Sequence, residues 1–142
     1  MAEIDLVVFK IKTELYSLDI SFVKEVVELR PIVPVPETPE FILGVINLRG
    51  EVLPVIDIKK RLGFGNVHAE INSKIIIVEN DRYKAGLLVE SLPYVIHSDT
   101  EKIKPEPTTI QPKVDMDLVS GVIEEDFLVV LDIDRILTRS GQ

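Results

Sequence analysis

The sequence of 142 residues predicts a mostly β protein made of two similar small β units in tandem. Three observations carry that expectation. The apolar runs are short, rich in Val and Ile, and bounded by turn residues. Helical signals are few. The chain also repeats itself: Val52-Leu53-Pro54-Val55-Ile56-Asp57-Ile58-Lys59-Lys60-Arg61-Leu62 aligns with Phe127-Leu128-Val129-Val130-Leu131-Asp132-Ile133-Asp134-Arg135-Ile136-Leu137 at an offset of 75 residues, with five of eleven positions identical. Gly44-Val45-Ile46 precedes the first copy and Gly121-Val122-Ile123 the second, and a proline-dense stretch precedes each. Many short strands separated by turn signals point to a sandwich or small barrels.

Taken in order, Leu6–Lys12 reads as a strand and Thr13-Glu14 as a hairpin turn. Glu37-Thr38-Pro39-Glu40 reads as a helix start, with Thr38 as N-cap and Pro39 in the first turn. Asp57 precedes a short amphipathic run, Ile58–Leu62, and its side chain is placed to accept the free amides of a helix start; Gly63 closes that helix. Lys74–Glu79 and Lys84–Val89 read as strands joined at Asn80-Asp81-Arg82. The run Gly121–Asp132 is strand-like, and Asp132 caps a second short helix, Ile133–Leu137. The expected division is residues 1–66 for the first unit and 73–137 for the second. A unit of roughly 65 residues buries too little surface to stand alone, so the two are expected to share apolar surface. The seam between them is the natural place for a binding groove.

Composition removes several classes of function. Lys and Arg number 16 against 24 Asp and Glu, a formal net charge of −8, which disfavours nucleic acid. There is no Cys, so disulfides, thiolate metal sites and thiol catalysis are excluded. His68 and His97 are the two histidines, too few for a His-rich zinc site, and both read as surface residues. No run approaches the ~18 apolar residues of a membrane span, and Met1-Ala2-Glu3-Ile4-Asp5 is acidic where a secretory signal is basic. The expectation is a soluble, cytoplasmic protein without membrane insertion. No phosphate loop, nucleophile elbow or histidine–glutamate zinc motif occurs. Glu124-Glu125-Asp126 reads as a turn between strands and Asp132-Ile133-Asp134 as a cap with its first turn, rather than as metal ligands. Neither a cofactor nor catalysis is expected.

The most informative stretch is Thr38–Phe64. Within it, Gly44-Val45-Ile46-Asn47-Leu48-Arg49-Gly50 followed by Pro54-Val55-Ile56-Asp57-Ile58 resembles the signature of the CheW family of bacterial chemotaxis coupling proteins. Similarity continues upstream through Phe9, Leu18-Asp19-Ile20, Val23, Glu25-Val26 and Pro34-Val35-Pro36, and downstream through Ile75–Val78, Gly86–Val89 and Gly121–Leu137. The resemblance implies two intertwined five-stranded β-barrels of the SH3 kind, with a few short helices, around a shared core. It also implies a non-catalytic adaptor, free-standing at this length, that couples the cytoplasmic tips of methyl-accepting chemoreceptors to the regulatory domain of the histidine kinase CheA. A small-molecule-binding barrel, and a stand-alone regulatory domain of another two-component system, are the competing readings.

For the receptor tip, the resemblance and the residues together nominate Ile20, Val23, Glu25, Val26, Arg49 and Leu92. An apolar groove receives apolar side chains of a helical hairpin. Glu25 offers a carboxylate for a cation or for steering. Ile20, Val23 and Val26 recur at a spacing of three, which suits a helical or turn segment better than one face of a strand. Arg49 is read equally as an interface anchor and as a residue pinning a loop against carbonyls of the other barrel. Gly50 is expected at positive φ, presenting Arg49 outward. Gly44, Asn47 and Leu48 are assigned turn and packing roles. The kinase-facing candidates lie in two proline-containing loops: Val33 and Val35, then Thr108 and Ile110.

Overall fold

The computed structural model describes residues 2–65, 72–105 and 115–138. His68 and the loop carrying Thr108 and Ile110 lie outside them. In chain order the elements are β1 (Glu3–Ile11), β2 (Glu14–Asp19), β3 (Val23–Glu28), β4 (Ile42–Leu48), β5 (Glu51–Asp57), α1 (Ile58–Arg61), β6 (Lys74–Glu79), β7 (Lys84–Val89), β8 (Tyr94–Asp99), β9 (Val119–Ile123), β10 (Leu128–Leu131) and α2 (Ile133–Leu137). The β1–β2 hairpin turns at Lys12, whose φ is 57°. The β6–β7 hairpin turns at Asn80, whose side-chain oxygen accepts the amides of Arg82 at 2.9 Å and Tyr83 at 2.7 Å. Gly121–Asp132 proves to be β9 and β10, folded back through the single 3-10 turn Glu124–Asp126.

The helix expected at Glu37–Glu40 does not form. Thr38 donates its hydroxyl back to the Val35 carbonyl at 3.2 Å, and the Ile42 amide donates to Pro39 at 3.0 Å. These are tight turns feeding a strand, because the residues that follow lack a helical apolar stripe for such a cap to start. The two aspartate caps are as expected: Asp57 accepts the Lys60 amide at 3.0 Å and Asp132 the Arg135 amide at 3.1 Å.

Two five-stranded sheets result, in the orders β8-β1-β2-β10-β9 and β3-β6-β7-β5-β4. The division at residues 66–73 is therefore corrected. Each sheet takes a hairpin from one half of the chain and three strands from the other. After β2 the chain leaves its own sheet, and β3 pairs with β6 of the second half; after β7, β8 returns to pair with β1. Exchanging β1–β5 for β6–β10 maps one strand order onto the other, including the parallel pairs β2·β10 and β5·β7. The tandem repeat is thus real, and its two copies are interleaved.

Interleaving explains the unbroken apolar runs. In β1, Leu6 and Val8 line the interior of the first barrel, while Val7, Phe9 and Ile11 face a core shared by both barrels. In β6, Ile75 and Ile77 line the second barrel, and Ile76 and Val78 face the shared core. A strand buried on both faces reads as a continuous hydrophobic run. The shared core also takes Tyr16, Leu87, Leu131 and both helices, and it is the largest of the three clusters. The seam expected to be a groove is therefore filled, leaving only its rims for binding.

Each barrel closes at a glycine. The stretch after β3 returns to the far edge of its sheet, where Val33 and Val45 exchange two backbone hydrogen bonds of 2.8 and 2.9 Å. In the first barrel Lys104 and Val122 exchange an equivalent pair of 2.8 and 2.9 Å. A β-carbon on Gly44 would stand 2.2 Å from the Val33 carbonyl oxygen, and one on Gly121 would stand 2.7 Å from that of Lys104. The repeated Gly-Val-Ile is thus the closure device of both barrels. Across the halves, the buried Arg61 guanidinium donates to the carbonyls of Arg135, Ile136 and Thr138 at 2.9–3.1 Å and sits 4.5 Å over the Phe41 ring. Burial pulls its pKa down, partly offset by the Asp115 carboxylate. No described helix is long and apolar enough to cross a membrane.

His97 on β8 is a surface residue, as expected, but it has partners. Its Nδ1 lies 2.7 Å from Asp5 and its Nε2 3.4 Å from Glu3, both on β1. The hydrogen bond with Asp5, then that with Glu3, raises its pKa above the ordinary imidazole value.

Two outcomes are expected. Gly44→Ala should lose at least about 2 kcal/mol of stability in urea denaturation, since the clash is with backbone rather than a side chain that can turn away; an unchanged midpoint would refute the closure role. An NMR titration should place the His97 pKa above the unfolded value and show it falling in Asp5→Asn. The imidazolium's stabilisation is complete below the unfolded pKa and is lost as pH rises through the folded one. A pKa indifferent to Asp5 would contradict the pairing.

Candidate protein-binding site

The nominated residues divide among three places on the molecule. Ile20 opens the 3-10 turn Ile20–Phe22, held by the Asp19 carboxylate, which accepts the Ser21 amide at 2.9 Å. Ile20 is 38% exposed and Val26, on β3, 39%. Val23 begins β3, half-buried and packed against the shared core. In a regular strand a spacing of three puts Val23 and Val26 on opposite faces. Here β3 bulges between Val23 and Glu25, so Val23 opposes Val78 and Val26 opposes Ile76. Both partners belong to the shared core, and both valines therefore face the seam. The spacing that suggested a helical or turn segment is a 3-10 turn followed by a bulged strand.

Leu92 lies in the β7–β8 connection and is 67% exposed. No hydrogen bond or core cluster among the described residues joins it to the β3 set. Nearby on β8, which is the counterpart of β3 in the other barrel, Val95 is exposed and stands opposite the shared-core residue Val7. Sequence reasoning missed Val95. Val95 lies among Leu92, Tyr94 and Ile96, and which of these faces the seam is set by register, which a sequence does not display.

Arg49 and Gly50 form the two-residue β4–β5 turn, with φ of 50° and 89° and Leu48 opposite Glu51. Positive φ at both central residues is the turn that matches the twist of a hairpin, and glycine accepts it without strain. The Asn47 side-chain oxygen accepts the Gly50 amide at 2.9 Å and fixes the turn. Leu48 points into the second barrel's core. Gly44 has the packing role expected of it. Arg49 is exposed, and its guanidinium makes a close charge-assisted hydrogen bond with the Glu25 carboxylate of β3. The expected bonds to carbonyls of the other barrel are made instead by Arg61, which lay in the repeated motif but carried no signal separating it from Lys59 and Lys60.

The Glu25–Arg49 pair belongs to a ring of charge at one end of the second barrel. Lys84 and Glu51 approach to 2.8 Å, and Lys24 and Glu79 to 3.6 Å. The hydrogen bond that the Lys84 ammonium donates to Glu51 holds its pKa above the ordinary value.

The third place is the outer face of β4 and β5. Val33 is 61% exposed, and together with Pro31, Val45, Val52 and Arg30 it lines a shallow, largely apolar depression of about 440 Å³. Val35 is exposed on the same loop. The acidic clusters have structural occupations: Glu125 pairs with Lys102 at 3.5 Å, and Asp134 accepts from the Asn80 amide at 2.8 Å. Among the described residues no group of three His, Cys, Asp or Glu is arranged to hold a metal ion. The geometry offers exposed apolar rims beside rigid charge, which suits binding of other proteins.

Comparison with known proteins agrees. Residues 5–141 match the family model of the CheW-like domain. The chain is 28% identical to the chemotaxis protein CheW of Treponema pallidum over 142 residues, covering 96% of this chain and 83% of that protein. It is 29% identical to the chemotaxis protein CheW of Bacillus subtilis over 137 residues, covering 96% and 88%. Among solved structures, the scaffolding protein TtCheW from Thermoanaerobacter tengcongensis superposes with a TM-score of 0.86 at 40% identity, covering all of this chain and 92% of that one.

Proposed function

Because this chain belongs to the CheW-like family, we propose that it is a non-catalytic adaptor of bacterial chemotaxis, joining chemoreceptor tips to the regulatory domain of a CheA histidine kinase at the cytoplasmic face of the membrane. The observation that carries this reading is the presence of two separate apolar surfaces on a protein whose central hairpins, β1–β2 and β6–β7, are largely buried. One is the seam rim of Ile20, Val23 and Val26. The other is the depression around Val33 and Val52. A bridging protein needs two such surfaces, and they must be usable together.

The seam rim fits a helical partner. Its apolar residues sit beside the Glu25–Arg49 pair, so a helix laying aliphatic side chains on Ile20 and Val26 meets both charges. Seam-facing Val95 on β8, the counterpart of β3, and exposed Leu92 before it offer a further stretch of apolar rim on the first barrel. The depression fits the edge of another small barrel. Exposed valines there offer an apolar patch, and Pro31 and Pro34, which have no amide to donate, flank the single Val33–Val45 bridge. The competing ligand-binding barrel needs polar groups converging in its pocket to fix a ligand, and the residues that fill the two barrel interiors are aliphatic.

Titration calorimetry against the kinase regulatory domain and against a receptor-tip fragment tests the reading; binding to neither by a folded sample would remove it. Val26→Asp should weaken the receptor tip at least tenfold with a melting temperature within a few degrees, whereas Val23→Asp, being half in the core, should also destabilise. Val33→Asp should weaken the kinase domain and spare the receptor. Arg49→Glu should cost no more than about 1 kcal/mol of stability, as expected of an exposed ion pair. Combining it with Glu25→Arg rebuilds the pair in reverse. If Arg49 acts by positioning, receptor binding returns in the double variant; if Arg49 touches the partner, it does not.

A further inference from the structure

The two barrels differ at one pair of equivalent ends. In the second barrel that end carries the ring of three ion pairs. In the first barrel the corresponding strands, starting β2, β8 and β10 and ending β1, leave an apolar socket of about 150 Å³ lined by Val8, Leu15, Tyr94, Ile96, Leu128 and Asp126. A cavity of about that volume, lined by aliphatic side chains, admits a benzene ring. Between two of the lining residues stands Phe127, 73% exposed. It ends the Glu124–Asp126 turn in the left-handed region, φ 50° and ψ 47°, a position where glycine or asparagine is the residue of least strain. A bulky aromatic held in strained backbone, in water, beside a socket of its own ring's size calls for an occupant.

We propose that two copies of this chain dock through these ends about a two-fold axis, each inserting Phe127 into the other's socket. A two-fold contact requires one patch to be complementary to itself, and here knob and hole lie side by side on the same barrel end. Charge fits the same arrangement. Lys10 follows Val8 on the same face of β1 and stands at one rim, while Asp126 stands at the other; neither has an ion-pair partner recorded among the described residues. The two-fold sets the Lys10 rim of one copy against the Asp126 rim of its mate. A contact built on one aromatic per copy falls below the usual size of a stable interface, so the dimer is weak and depends on concentration. The socket is lined by none of the residues of the Ile20–Val26 rim or the Val33 depression, and its Tyr94 and Ile96 flank Val95.

Sedimentation equilibrium of the full chain, from low micromolar to about 1 mM, tests this. The expected result is a monomer–dimer equilibrium that Phe127→Ala weakens at least tenfold without lowering the melting temperature. Lys10→Glu and Asp126→Lys should each weaken it, and the double variant should restore it. A monomer throughout the range overturns the proposal, as does a dimer that survives Phe127→Ala or that is lost in Val33→Asp instead. If the chain stays monomeric while Phe127→Ala weakens binding to the kinase domain or receptor fragment, the socket belongs to that partner and the self-docking assignment is wrong.

Discussion

At Gly44 the Val33 carbonyl lies where any other residue would carry its β-carbon, and at Gly121 the Lys104 carbonyl does the same. These two close approaches let a backbone stretch reach the far edge of each sheet and bond to it. Without them, β4 and β9 would be open edges offering unpaired amides and carbonyls. With them, both barrels close, and the strands are free to bury their outer faces against each other. The shared core therefore depends on a contact with no side chain in it.

Once the barrels close, the exchange of strands between halves decides what remains for binding. Hairpins β1–β2 and β6–β7 are each embedded in a sheet completed by the other half, and both of their faces are covered. The chain has no spare buried surface to offer a partner. What it offers are residues at the limits of coverage: the bulged start of β3, the outer face of β4 and β5, and the connection into β8. The bulge in β3 matters most here, because it turns two valines that strand periodicity would separate toward the same side. Arg61 ties this arrangement together from the opposite direction, satisfying three carbonyls at the end of α2 and joining the last helix of one half to the first helix of the other.

The duplicated architecture is not duplicated in its surface. Equivalent turns carry Arg49-Gly50 in one barrel and the acidic turn ending in Phe127 in the other. Equivalent barrel ends carry a ring of ion pairs and an apolar socket. The depression around Val33 is apolar, whereas Lys102, Lys104 and Glu125 line its counterpart. Backbone closure and the two-sided core constrain the repeat strongly, and the exposed turns are free of both, so differences between the halves collect at the exposed turns and barrel ends.

The sequence by itself determined the β class, the repeat, both aspartate caps, the hairpin turns at Thr13 and Asn80, and the family through the run from Gly44 to Ile58. These are local: a turn, a cap or a motif is written in neighbouring residues. Only the tertiary structure decided which half supplies which strand, that the seam is packed rather than open, that Val95 faces the seam, and that Arg61 bonds across the halves. Strand pairing is a choice among distant partners with similar apolar faces, and the repeat made the two halves nearly interchangeable as partners, so the sequence held no preference that could be read locally. The same holds for Val23 and Val26. Their spacing was visible, but the face they share was set by a register shift against β6, and register exists only once the second strand is in place.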